Sequence, residues 1–195
     1  MSKDSPTPSP ALFFNAVNAY QQTEAIKAAI ELEIFTNISQ GIESVESLAQ
    51  KCQTSERGMR ILCDYLVIVG FLAKEAQGYR LTPDSAMFLD KGSKTYMGNV
   101  VDFLLSPLIT NGFNHLATAV RQGGTVVPSE GTLSPDNLIW VEFAKAMAPT
   151  MLMPAKLTAQ MVNGDSQQSI KVLDISAGHG LFGIAFAQQN PNAVI

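Results

Sequence analysis

A short glycine-containing segment near the end of the chain has the residue types needed to hold a charged small molecule. It reads Ile170-Lys-Val-Leu-Asp174-Ile-Ser-Ala-Gly-His-Gly180 and is followed by an apolar helical pattern. Gly178 and Gly180 lack a Cβ atom, so backbone amides in the turn can approach a ligand closely. The carboxylate of Asp174 can accept hydrogen bonds from a ligand ammonium group or hold the loop. The pattern predicts a ligand-binding loop at the carboxyl end of a parallel strand.

The same glycines permit a different interpretation, because Gly178, Gly180 and Gly183 also satisfy the dinucleotide fingerprint G-x-G-x-x-G. A nicotinamide-dependent oxidoreductase is therefore one alternative. Two features argue against it. Asp174 lies four positions before the first glycine, whereas dinucleotide folds usually place their diagnostic acid about 20 residues later. The long helical block upstream also differs from the usual direct start on a βαβ unit.

Helical patterns dominate the chain upstream of this motif. Ser9 and Pro10 predict the start of a helix whose apolar positions run to Tyr20, and a second apolar stripe begins at Thr23 and runs to about Phe35. Three further helical stretches follow later in the chain, at residues 96–105, 113–121 and 138–162.

Residues 44–82 have the layout of a winged helix. Ser44 and Ser55 are predicted N-caps, and Gly70 is a predicted helix stop. The predicted elements are a helix over 45–51, a helix from Ser55 through Val69, and strands over 71–75 and 79–82 around a turn at Gln77-Gly78. From Glu43 to Thr82, five basic residues are offset by five acidic ones. Since phosphate contacts supply much of duplex affinity, this balance favours a packing module over a reader of nucleic acid.

The composition limits the remaining possibilities. The chain of 195 residues is 46% hydrophobic and 15% charged, so it can build a core. Its net charge of -4 argues against nucleic acid or an anionic membrane as main partner. We see no apolar run long enough to span a bilayer and no signal-peptide pattern at the start. The two cysteines, Cys52 and Cys63, form no disulfide framework, which predicts a cytoplasmic location.

Taken together, these patterns resemble the N-terminal portion of the S-adenosylmethionine-dependent O-methyltransferases of the plant caffeate type and their bacterial counterparts acting on small molecules. Residues 174–180 resemble the family's first cofactor motif, acid-x-Gly-x-Gly-x-Gly, except that Ser176 stands where the family usually has its first glycine. The resemblance implies a mainly α N-terminal domain with a winged helix, followed by the beginning of an α/β Rossmann-like methyltransferase domain that is incomplete in this chain. The implied boundaries are a helical dimerisation domain at 11–162 and the cofactor-binding start at 163–195. The residues themselves predict a disordered lead-in at 1–10 and a domain linker at 163–166, where the cofactor-binding part begins.

The resemblance also implies roles for individual residues. The family's loop holds the methionine part of S-adenosylmethionine, which carries over to Asp174, Ser176, Gly178 and Gly180. The family's long helix has a Phe-x-x-x-Met pair lining the acceptor pocket. The matching residues here are Phe143 and Met147, with Met151 one turn further and with Phe103 and Leu104 as additional candidates. Ordinary core packing is the competing interpretation of these apolar residues.

Catalytic residues are expected outside this chain. The family's general base is a histidine that lies beyond residue 195, so neither His115 nor His179 is assigned to catalysis, and no metal is implied. His115 is expected to be structural, and His179 to contact the cofactor through its backbone. The ribose-binding acid is also expected past the end. A lone strand and helix leave the edges of a sheet open, so residues 1–195 alone are expected to be inactive. We expect either that the chain is part of a longer protein or that it is a fragment whose last 30 residues rearrange.

The resemblance finally implies partners. The predicted function is methyl transfer from S-adenosylmethionine to a hydroxyl of a small, aromatic or enolic acceptor, in a homodimer without nucleic acid or membrane partners. The homodimer hypothesis also has a basis in the residues themselves, because Phe13, Phe14, Val17 and Tyr20 make the first helix unusually apolar. The main alternative is a winged-helix regulatory or interaction protein whose downstream domain binds a ligand.

Overall fold

The computed structural model describes residues 8–76, 78–126, 138–163 and 168–195. The chain forms two compact units, the first ending at Lys94 and the second beginning at Thr95. The first unit contains five helices and one hairpin among its described residues. They are α1 (Ala11–Glu31), α2 (Ile34–Ser39), α3 (Val45–Lys51), α4 (Glu56–Ile68), β1 (Leu72–Glu75), β2 (Gly78–Leu81) and α5 (Pro83–Phe88).

Helix α1 is longer than the sequence pattern suggested. The first predicted stripe and most of the second belong to one helix, since no glycine or proline separates them and Thr23 bonds back to the carbonyl of Ala19 at 3.4 Å. The chain breaks instead at Glu33, which adopts a left-handed φ of 55°. The Glu33 carboxylate pairs with the Lys91 ammonium at 2.5 Å. This ion pair ties the break to the end of the first unit.

The elements predicted for residues 44–82 are present in the predicted order. The hydroxyl of Ser44 accepts a hydrogen bond from the Ser47 amide at 3.2 Å, and that of Ser55 accepts from Gly58 at 3.1 Å. Both predicted N-caps are therefore confirmed. β1 and β2 pair antiparallel, which confirms the predicted hairpin. The name winged helix for this arrangement stays a prediction.

The core of the first unit lies between its helices and the hairpin. Its buried apolar side chains come from every helix except α5 and from both strands, and they are Ala29, Ile34, Phe35, Ile38, Leu48, Ala49, Met59, Cys63, Leu66, Leu72 and Tyr79. The Tyr79 hydroxyl donates to the Asp64 carboxylate at 2.7 Å, so the hairpin is pinned to α4. Burial, with a smaller contribution from Asp64, raises the pKa of the Cys63 thiol to about 12.

The second unit is mainly helical in the part that the structure describes. Its helices are α6 (Val100–Leu104), α7 (Pro107–Asn114), α8 (Leu116–Gln122), α9 (Leu138–Asn163) and α10 (Leu181–Gln189). The long helix predicted over 138–162 is confirmed. The predicted stretch at 113–121 is divided between two helices because the chain turns at His115. Among the described helices, none combines the length and apolarity needed to cross a bilayer.

The strand predicted before the glycine loop is reduced to a single parallel bridge between Lys171 and Val194. The bridge is held by a hydrogen bond from Val172 to Val194 at 2.8 Å and one from Val194 to Ile170 at 2.9 Å. Two hydrogen bonds form a bridge and not a strand ladder, and among the described residues each of these segments pairs only with the other. Helix α10 connects the two bridged segments and packs on α9 through Ala155, Ala159, Ala185 and Phe186.

The predicted domain boundary at residue 163 lies within the second unit. The predicted linker overlaps residues 164–167, which lie outside the described residues, as does most of the predicted lead-in at 1–10. The boundaries 1–10, 11–162 and 163–195 therefore stay predictions.

Candidate ligand-binding cleft

The glycine loop turns through three left-handed residues. Ser176, Gly178 and Gly180 have φ values of 58°, 54° and 69°. The Gly180 amide donates to the carbonyl of Ala177 at 2.8 Å, which closes the turn immediately before α10. Because only glycine adopts these φ values without steric cost, the spacing of the motif follows directly from the path of the backbone.

Ser176 carries the strain that a glycine would avoid, so a Ser176→Gly variant is expected to be at least as stable as the parent protein. A left-handed side chain costs about 1–2 kcal/mol, whereas the added freedom of glycine in the unfolded chain costs about 0.4–1 kcal/mol. The expected net gain is therefore between about 0 and about 1.6 kcal/mol in the free energy of urea unfolding. Gly178→Ala, which introduces the same strain at φ 54°, is the matched control and should lose about 1 kcal/mol. A clear loss of stability in Ser176→Gly would show that the serine side chain has a structural role.

The Asp174 side chain is held against the start of α10. Its Oδ2 atom accepts a hydrogen bond from the Gly183 amide at 3.2 Å. A Cβ atom at Gly183 would lie 2.9 Å from Cγ2 of Ile195 and 3.4 Å from Oδ2 of Asp174. The absence of a side chain at Gly183 therefore lets the helix approach the bridged segments closely, and the backbone amide orients the carboxylate.

Helix α9 supplies the opposite wall of a cleft. Phe143, Met147 and Met151 are spaced four residues apart, so they lie along one stripe of the helix. This stripe faces residues 174–179 across a cleft with a volume of about 860 Å³. The lining residues are Trp140, Phe143, Ala144, Met147, Met151, Asp174, Ile175, Ser176, Ala177, Gly178, His179 and Phe182.

The structure brings together most of the residues singled out from the sequence. Asp174, Ser176 and Gly178 line the cleft together with the three α9 residues Phe143, Met147 and Met151. The remaining candidates lie beside the cleft and not among its lining residues. Gly180 is the N-cap of α10, Phe103 packs edge-to-face on Phe143 with ring centroids 5.2 Å apart, and Leu104 is half exposed at the end of α6.

Three lining residues outside the predicted loop were not expected from the sequence, namely Trp140, Ala144 and Phe182. Trp140 precedes Phe143 by three residues, so extending the helical stripe by one turn would have found it. Ala144 precedes Met147 by three residues and lies beside the stripe. His179 also lines the cleft, and its Nδ1 atom accepts a hydrogen bond from the Leu181 amide at 3.2 Å. Among the described residues, no group of three or more histidine, cysteine, aspartate or glutamate side chains is arranged to hold a metal ion.

His115, the other histidine, lies outside this cleft. Its ring Nδ1 is 2.8 Å from the carbonyl oxygen of Asn111, one turn earlier in α7. The structural role expected for His115 stays a prediction.

Comparison with known proteins identifies the first unit. Residues 14–91 match the O-methyltransferase dimerisation domain. The chain is 24% identical over 189 residues to the 3-hydroxy-5-methyl-1-naphthoate 3-O-methyltransferase of Streptomyces sahachiroi, covering 94% of this chain and 53% of that protein. The resemblance to the O-methyltransferases is therefore confirmed, and the chain is related to methyltransferase enzymes.

Solved structures agree with this relationship. A Nostoc punctiforme protein provisionally named an O-methyltransferase is 68% identical, with a TM-score of 0.86 over 96% of this chain and 55% of that one. Human N-acetylserotonin methyltransferase, solved in complex with S-adenosylmethionine, shares the fold at 19% identity, with a TM-score of 0.73 over 99% of this chain and 59% of that one. This chain thus spans about half the length of the proteins that it resembles.

Proposed function

We propose that this chain is the N-terminal part of an S-adenosylmethionine-dependent O-methyltransferase that methylates a hydroxyl of a small aromatic or enolic molecule. The observation that carries the proposal is the single cleft shared by the glycine loop at 174–179 and the α9 stripe. A methyl donor and its acceptor must meet in one site, since in-line transfer requires the reacting atoms to lie about 3–3.5 Å apart. The cleft combines a loop suited to a charged ligand with a wall suited to an apolar one.

The cofactor half of the cleft is the glycine loop. S-adenosylmethionine would supply the methyl group from its sulfonium centre. Asp174 is the carboxylate suited to the ligand's ammonium group, and its orientation is fixed by the Gly183 amide. Ser176 and Gly178 line the cleft where the backbone can approach the ligand. Gly180 lies outside the lining and forms the end of the turn as the N-cap of α10. Such a loop before a helix is the usual position for a nucleotide-type ligand in α/β folds, so residues 168–195 are proposed to begin a Rossmann-like domain.

The acceptor half is the α9 stripe. Phe143, Met147 and Met151 offer an aromatic face and polarisable thioethers, which suit a planar ring. Phe103 supports this wall through its ring contact with Phe143. A hydroxyl on an aromatic ring is also the group named for the Streptomyces sahachiroi relative, whose acceptor is a hydroxynaphthoate.

The first unit is proposed to serve dimerisation, with residues 44–82 as a winged helix used for packing. The basic side chains of the hairpin are already paired. Lys74 lies 2.6 Å from Asp64, and Arg80 lies 2.5 Å from Glu43 and 3.2 Å from Glu75. Paired cations give little net attraction for phosphate, so the regulatory alternative with a nucleic-acid partner is less well supported.

Titration calorimetry with S-adenosylhomocysteine tests the cofactor site. The titration uses both the 195-residue chain and the longest polypeptide that the gene encodes. Replacing Asp174 by Asn keeps an oxygen that can accept from Gly183 but removes the charge. A hydrogen bond to a charged group is worth about 1.5–3 kcal/mol, so we expect Asp174→Asn to weaken binding roughly 10- to 100-fold.

Asp102→Asn is the matched control, because Asp102 is an exposed carboxylate of the same unit outside the cleft. The affinity of this variant for S-adenosylhomocysteine should stay within about a factor of two of that of the parent protein, as expected for an exposed surface change. Equal loss in both variants would reject the role of Asp174. No binding to either length of polypeptide would reject the methyltransferase proposal and favour the interaction-module alternative.

A further inference from the structure

We propose that Trp140 is a specificity-determining residue that makes the cleft prefer planar fused-ring acceptors over acceptors with a single aromatic ring. This inference rests on the proposed function, because it assumes that the α9 stripe forms the acceptor wall. It adds a residue that the sequence pattern did not single out, and it narrows the class of acceptor from any ring compound to one with two or more coplanar rings.

The position of Trp140 extends the acceptor wall by one helical turn. It precedes Phe143 by three residues and Met147 by seven, so all three lie on the same stripe of α9. Three residues advance a helix by about 4.5 Å, so Trp140 lengthens the aromatic part of the wall along the helix axis. Trp140 lines the cleft while 47% exposed, so part of its indole surface is open to a ligand.

The orientation of the rings is the second observation. The Trp140 and Phe143 ring planes meet at 86°, with centroids 6.1 Å apart. Phe143 also contacts Phe103, and the planes of these two rings meet at 70°. Phe143 is thereby braced between two aromatic neighbours, and its ring and the indole form a right-angled corner.

A right-angled aromatic corner favours a flat ligand. Aromatic pairs prefer either offset stacking or an edge-to-face arrangement. A planar fused-ring molecule stacked on one ring of the corner presents its edge to the other ring, so both contacts are satisfied at once. A ligand whose second ring is saturated and puckered covers the same area but forms only one of these contacts. The difference between the two ligands therefore isolates the contribution of the corner.

The test compares 2-naphthol with 5,6,7,8-tetrahydro-2-naphthol, which has the same carbon skeleton but one aromatic ring. Dissociation constants are measured by calorimetry in saturating S-adenosylhomocysteine, on the longest polypeptide that the gene encodes. Aromatic contacts are worth about 0.5–1.5 kcal/mol beyond buried area, so the parent protein is expected to prefer 2-naphthol about fivefold. Trp140→Leu should remove the preference, and Trp140→Phe should keep most of it.

Phe113→Leu is the matched control, since Phe113 is an exposed aromatic residue of the same unit that lines a separate groove. It should retain the fivefold preference. A parent protein without the preference, or without affinity for either naphthol, overturns the proposal, as does a Trp140→Leu variant that keeps the preference. The affinity for S-adenosylhomocysteine is recorded for each variant. Normal cofactor affinity with no ring preference rejects only the role of Trp140, whereas absent cofactor binding in the parent rejects the proposed function itself.

Discussion

A Phe35→Ala variant is expected to lose about 3–5 kcal/mol of unfolding free energy, a large part of the roughly 5–15 kcal/mol that keeps a typical domain folded. Phe35 is 1% exposed and lies in the core of the first unit, with its ring 6.5 Å from that of Phe71 in an edge-to-face contact. Removing the ring leaves a cavity that the surrounding helices can fill only in part. The measurement is urea denaturation followed by far-ultraviolet circular dichroism.

The same substitution at an exposed aromatic residue is the control for Phe35→Ala. Phe113 is 70% exposed, so Phe113→Ala should change the unfolding free energy by less than about 0.5 kcal/mol. Similar losses in the two variants would mean that burial in this core does not determine stability, and that the packing described for the first unit is incorrect.

A Phe14→Asp, Val17→Asp double variant is expected to convert a homodimer into a monomer. The N-terminal half of α1 exposes Phe13, Phe14, Val17 and Tyr20, whereas its C-terminal half packs on the core. Two carboxylates buried in an apolar interface without partners cost several kcal/mol, so the dissociation constant should rise at least roughly 100-fold. Light scattering across the micromolar range measures the change in mass.

Asn15→Asp adds a carboxylate on the opposite side of the same helical turns, where Asn15 is also exposed. This control should remain a dimer. If the parent protein is itself a monomer throughout the micromolar range, the homodimer proposal fails. If Asn15→Asp dissociates as readily as the double variant, the interface does not use the predicted stripe.

Local signals in the sequence were sufficient for most of the first unit. Ser44 and Ser55 each predicted a helix start because a hydroxyl at that position can satisfy an amide of the first turn. The break at Glu33 was missed, since it depends on a left-handed residue whose carboxylate pairs with Lys91, far away in the chain. An ion pair between distant residues leaves no periodic trace in the sequence.

The site was predicted in part for a similar reason. Residue chemistry and glycine spacing pointed to the loop at 174–180, and helical spacing pointed to Phe143, Met147 and Met151. The sequence did not predict that Gly180 turns away from the cleft lining or that Trp140 joins it. The parallel strand was reduced to one bridge at Lys171 because strand formation depends on neighbours that a local pattern cannot supply.

Because Cys63 is buried, the unfolding of the two units can be measured separately in the same molecule. Both cysteines belong to the first unit, whereas the only tryptophan, Trp140, belongs to the second. A thiol with a pKa near 12 and no exposed surface stays unreactive until its surroundings open. Alkylation of Cys63 therefore reports the opening of one unit and indole emission reports the other, so the protein carries separate intrinsic probes for its two halves.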